Sequence, residues 1–148
     1  MPTLHFETTA PDPCPQAFAG DTSDVVYFLS FAFSTRYLPV RGGSTHELSR
    51  ASLLLRGEFN IDLRPLLTFA GREVEEASDE RELERVWQEA APLAECCRQV
   101  VAALDSGHAG LRELTAGFPA LHDRLDDLAR MAQWAAERAA KLRLTYSL

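Results

Sequence analysis

The chain lacks most of the features that announce a function. Its three cysteines are an odd number without the spacing of a disulfide framework or a zinc ligand set, which agrees with a reducing compartment. No apolar run is long: the most apolar stretch, residues 25–33, is about half of what a helix needs to cross hydrocarbon. The first residues, MPTLHFETTAPDPCPQ, show no positive segment followed by an apolar core, so no secretory signal is expected and the expected location is cytoplasmic. Positive charge is scarce. Fifteen basic against 22 acidic side chains leave a formal charge of −7. Neither nucleic acid nor an anionic membrane surface is therefore an expected partner, because both attract Lys and Arg. There is no internal repeat, no low-complexity tract, no Gly-x-Ser-x-Gly elbow and no Glu-x-x-His pair of the kind that builds carboxylate metal centres in bundles. No cofactor is expected.

What the chain does contain is helical periodicity. Leu83, Trp87, Ala90, Ala94, Cys97, Val101 and Leu104 alternate steps of four and three, as do Leu121, Leu125, Leu128, Ala132, Ala135, Ala139 and Leu142. That spacing lines up each set on one side of an α-helix, about 32 Å long at ~1.5 Å per residue. The expected fold is mainly all-α: a bundle built on a long antiparallel pair, residues 79–105 and 119–143. In the first helix Val86, Leu93 and Val100 add an apolar row beside the seam. Pro92 should kink it, since proline removes one backbone hydrogen bond and crowds the preceding turn.

Shorter elements should pack across this pair. Residues 25–33 carry both strand-like composition and helical spacing; with Asp21–Ser23 available as caps and Pro39 as a stop, helix is expected. Ser44 and Glu47 have capping-box spacing before a helix of residues 45–56, and Asp62 could open another through Phe69. Residues 1–20, with Pro11, Pro13 and Pro15, read as an extended arm preceding a helical domain of residues 21–148. Two segments alternate with period two, TLHFET near the start and LRLTYSL at the end, and are expected as short terminal strands able to pair.

Three groups of residues are candidate sites. Met131, Trp134 and Arg138 form a row off the last helix's seam, and Trp and Arg are frequent interface anchors. Arg41, Gly42, Gly43 and Ser44 offer free amides and a cation to an anion at a helix start. His108, Glu113, His122 and Asp126 are the candidate metal ligands. Cys96 and Cys97 are adjacent on a helix, so their sulfurs diverge by ~100°, and both read as structural. The expected role is a non-enzymatic protein-interaction or regulatory module, self-associating or bound to a protein partner. The rival expectation is a ligand- or metal-binding bundle, with enzymatic activity as one form of it.

Overall fold

A computed structural model describes residues 1–39 and 46–148. Along them run β1 (Thr3–Thr8), α1 (Ser23–Ser34), α2 (Glu47–Gly57), β2 (Phe69–Gly71), α3 (Ala77–Arg85), β3 (Gln88–Glu89), α4 (Ala90–Leu104), α5 (Ala109–Thr115), α6 (Leu121–Glu137) and β4 (Lys141–Ser147). The architecture is thus mixed α/β, not all-α. Strand order is β1-β4-β2, with β3 also paired to β4.

The two alternating segments are the sheet's main pair. β1 runs antiparallel to the whole of β4, with Leu4 opposite Tyr146 and Phe6 opposite Leu144. Their polar residues share one face, where Glu7 accepts from Arg143 at 3.1 Å and from Thr145 at 3.0 Å. Leu142 and Leu144 turn the other way into the core, both fully buried. On the second side of β4, β2 pairs in parallel and β3 antiparallel.

The last helix stops sooner than its apolar stripe. Ala139 adopts φ 53°, and the amides of Ala139 and Ala140 donate to the carbonyls of Ala136 and Ala135, both at 3.0 Å. This is a Schellman stop with alanine where glycine is usual, which is why no stop was visible in the sequence. A Cβ in the left-handed region costs about 1 kcal/mol. Ala139→Gly should therefore raise folding stability by about 1 kcal/mol, read as a higher melting temperature; an unchanged or lower one would contradict the cap.

The first expected long helix is broken, not kinked. Glu89 is the N-cap of α4, so Pro92 is its third helical residue, where the missing amide has no intrahelical partner anyway. Upstream, Gln88 and Glu89 are extended against β4, and α3 ends at Arg85. The capping box of α3 is Glu76 with Asp79. The buried face of α4 also turns toward the flanking row: Leu93, Cys97 and Val100 are fully buried, whereas Val101 and Leu104 are half-buried. Trp87 lies outside any helix, under the Arg143 guanidinium at 4.5 Å.

α4 and α6 pack side by side and antiparallel, since Asp105 at the end of α4 meets His122 at the start of α6 while Arg98 meets Gln133 further along. The α6 seam is buried as expected through Leu121, Leu125, Leu128, Ala132 and Ala135. α1 is a helix, contributing Val25, Phe28, Leu29 and Ala32 to the core. Its N-cap, Thr22, turns its hydroxyl to the Leu4 amide at 2.8 Å and so ties helix to strand. No helix forms at residues 62–69; Asp62 instead closes a turn by accepting from the Arg64 amide, and the chain goes on into β2. No helix among the described residues is long and apolar enough to cross a membrane.

Candidate functional site

Of the row Met131, Trp134 and Arg138, the first two lie inside the fold and Arg138 is exposed. Met131 is 5% and Trp134 8% exposed, and Arg138 stacks on the Trp134 ring at 4.2 Å while donating to its carbonyl. Met131 and Trp134 therefore present almost no area to a partner. The arm explains this. Ala19 donates to Asp127 Oδ2 at 2.9 Å, Cys14 and Phe18 pack on the core, and Gln16 borders the groove beside Trp134. Gly20 passes so near Arg124 that a Cβ there would lie 2.5 Å from Nη1.

The four metal candidates are not brought together. His108 caps α5 by accepting the Leu111 amide and contacts Glu58 at 2.7 Å. Asp126 pairs with Arg130. His122 sits between Asp123 at 2.8 Å and Asp105 at 2.9 Å, and Glu113 is exposed on α5. Among the described residues no group of three or more His, Cys, Asp or Glu is placed to hold a metal. The anion candidates Arg41, Gly42, Gly43 and Ser44 lie outside the described residues; α2 next to them is capped by His46, whose Nδ1 accepts the Leu48 amide at 3.1 Å.

His122 makes a testable electrostatic link between α4 and α6. Asp123 and then Asp105 hold its pKa above the ordinary value. A folded pKa above the unfolded one gives stability that is complete below about pH 6.5 and fades as pH rises through the folded value. Its side chain is 36% exposed, so screening limits the effect to about 0.5 kcal/mol. The His122→Gln variant should be less stable than the wild type below about pH 6.5 and converge with it only as pH rises past the raised folded value; parallel stability–pH curves would contradict the link.

One arrangement invites a catalytic reading that the sequence gave no reason to consider. His5 Nε2 lies 2.9 Å from Ser147 Oγ. However, Arg72 Nη1 is 2.9 Å from His5 Nδ1, and a guanidinium can only donate. Nδ1 must therefore accept, which leaves the proton on Nε2 pointing at the serine. Burial and then Arg72 also lower the imidazole pKa. The pair cannot withdraw a proton from Ser147. Cys96 and Cys97 are equally inert: burial pushes the Cys96 thiol up to about 12 and Cys97 well above its ordinary value.

The remaining feature with chemical character is a groove at the open side of β2. Ser30 and Phe33 of α1, residues 69–71 and Glu73, Asp79 and Glu82 of α3, and Tyr146 enclose about 470 Å³. Phe69 stands at its centre, edge-on to Phe33 at 5.5 Å and to Tyr146 at 5.9 Å. Phe33 is 38% exposed, with the Arg36 guanidinium over its ring at 3.6 Å. The rim is acidic: residues 72–85 hold seven carboxylates against three arginines. Asp79 is held below the usual carboxylate range by the amides of Glu75 and Glu76, and so stays ionised. A second cavity of about 260 Å³ continues past Gly71 and Tyr146 toward Leu148.

Sequence reasoning missed this groove because its walls come from four separate segments. The acidic run of residues 72–85 is plain in the sequence, but no spacing ties it to Phe33, Phe69 or Tyr146. Aromatic walls and a predominantly acidic rim suit an apolar group that carries positive charge. No family model, curated protein or solved structure matches the chain.

Proposed function

We propose that this chain is a non-enzymatic, cytoplasmic protein-interaction module, and that its docking site is the groove between α1, β2 and α3. Its partner is a protein segment combining an aromatic or aliphatic side chain with Lys or Arg. The reading rests chiefly on the solvent-open Phe33–Phe69–Tyr146 cluster beneath Glu73, Asp79 and Glu82. Aromatic clusters in concave, partly desolvated sites supply most of the energy of protein recognition, while rim charges set partner choice and encounter rate. The cavity beside Trp134 is a weaker site. Its charges neutralise one another, with Arg130 on Asp126 and Arg98 on Glu95, whereas of Glu73, Asp79 and Glu82 only Glu82 has an ion-pair partner among the described residues, Arg85.

Self-association through α6 is not part of this proposal, because Met131 and Trp134 are covered. Two copies meeting groove to groove would also oppose acidic rims, which disfavours a symmetric dimer there.

Panning a random peptide library on the immobilised protein tests the reading. The selected peptides should be rich in Lys or Arg next to aromatic or aliphatic residues. Phe33→Ala should weaken their binding about tenfold, and Glu82→Lys should weaken it with a reduced dependence on salt. A library that yields no binders, or binders indifferent to both substitutions, overturns the proposal.

A further inference from the structure

We infer that the segment held in this groove binds as an added β-strand on the free side of β2, a conclusion that rests on the groove being the docking site. β2 is the last strand of its sheet, and no further strand follows it among the described residues. The direction of its backbone groups is fixed by one bond: the Arg72 amide donates to the Tyr146 carbonyl at 2.8 Å. Residues two apart on a strand face the same way, so Ala70 and Arg72 turn toward β4. The amides and carbonyls of Phe69 and Gly71 therefore turn away from it. Both of these residues line the cavity. An extended segment lying there can exchange main-chain hydrogen bonds with the edge, the recurrent mode of strand addition.

The two walls then dictate a side-chain pattern. α1 stands on the Leu144 face of the sheet, where Phe33 meets Phe69. α3 stands on the opposite face, where Arg143 donates to the Leu83 carbonyl at 3.2 Å. Alternate side chains of an added strand would point to these two walls in turn. One set meets Phe33, Phe69 and Tyr146 and must be apolar. The other meets Asp79 and Glu82 and must be basic. The occupant is therefore an extended segment in which apolar residues alternate with Lys or Arg. Edge strands are commonly protected by charge and shortness. Here the carboxylates of residues 72–85 outnumber the arginines seven to three, so the edge repels another copy of this chain and admits a basic partner.

The test uses the full chain and a library of nine-residue peptides in which Lys or Arg alternates with Val, Ile, Phe or Tyr. The tightest peptide is then remade twice, with backbone N-methyl groups on its odd or on its even residues. Strand addition exposes one set of amides to β2 and the other to solvent. One remade peptide should lose at least about tenfold in affinity while the other keeps it, and the bound peptide should slow hydrogen exchange at the Gly71 amide by about tenfold or more. Equal affinities of the two remade peptides, with Gly71 exchange unchanged, overturn strand addition and leave the groove standing. A library that returns no binder overturns the groove itself.

Discussion

Replacing Asp127 by alanine is expected to remove about 3 kcal/mol of folding stability. Asp127 is 3% exposed, and three groups depend on it. The Ala19 amide donates to Oδ2, Arg124 Nε lies 2.9 Å from the same oxygen, and Arg130 donates to Oδ1. Arg124 is itself only 14% exposed, so losing the carboxylate leaves a covered guanidinium without its counter-charge. Leaving a buried charge unpaired is the costly half of any internal ion pair, larger than the net worth of the pair itself. The arm should loosen as well, because Ala19 is its tie to α6. Urea unfolding should thus show a lower midpoint, and limited proteolysis should cut within residues 9–20 before the rest of the chain. Asp127→Asn, which keeps an oxygen for the Ala19 amide, should recover part of the loss. A cost below about 1 kcal/mol would mean that the arm and the arginines do not rely on this residue.

The second large effect is expected at the centre of the sheet. Leu144 is fully buried and stands in register with Phe6 of β1 on one side and Phe69 of β2 on the other. Leu144→Ala should cost about 2–5 kcal/mol, the range for removing a buried leucine and leaving a cavity. That is a large share of the ~5–15 kcal/mol that holds a domain together. The consequence extends to the groove, because β2 reaches the rest of the molecule through β4. Loosening Phe69 should weaken groove binding beyond what the stability loss alone explains. Leu148→Ala is the matched control: the side chain is 92% exposed, and its loss should change stability by less than about 0.5 kcal/mol.

How much of this was legible in the sequence depends on range. Local periodicity showed the α6 seam, the helix at residues 23–34, and the two alternating segments that pair as β1 and β4. Each of those patterns repeats within one element and needs no knowledge of the partner. The helix ends were not legible. At Ala139 the chain turns on an alanine in a conformation normally left to glycine, so the apolar stripe overran the true stop by several residues. At Pro92 the unbroken apolar spacing argued for a kink, but spacing says nothing about whether Gln88 and Glu89 can pair with a strand over fifty residues away. Trp134 looked like a free anchor because its cover is the proline-rich arm, which has no periodicity to betray where it lies. The groove was invisible for a related reason. Ser30, Phe33, Phe69, Glu82 and Tyr146 meet only once the sheet has formed, and no spacing links them.

The most direct test of the central claim is a ¹⁵N-resolved amide map of the protein titrated with the alternating basic–apolar peptide. The account predicts shifts concentrated at residues 30–33, 69–73 and 79–82 and at Tyr146, with the amides of α6 unmoved. Shifts centred on Met131 and Trp134 instead, or spread evenly over the acidic surface, would contradict it.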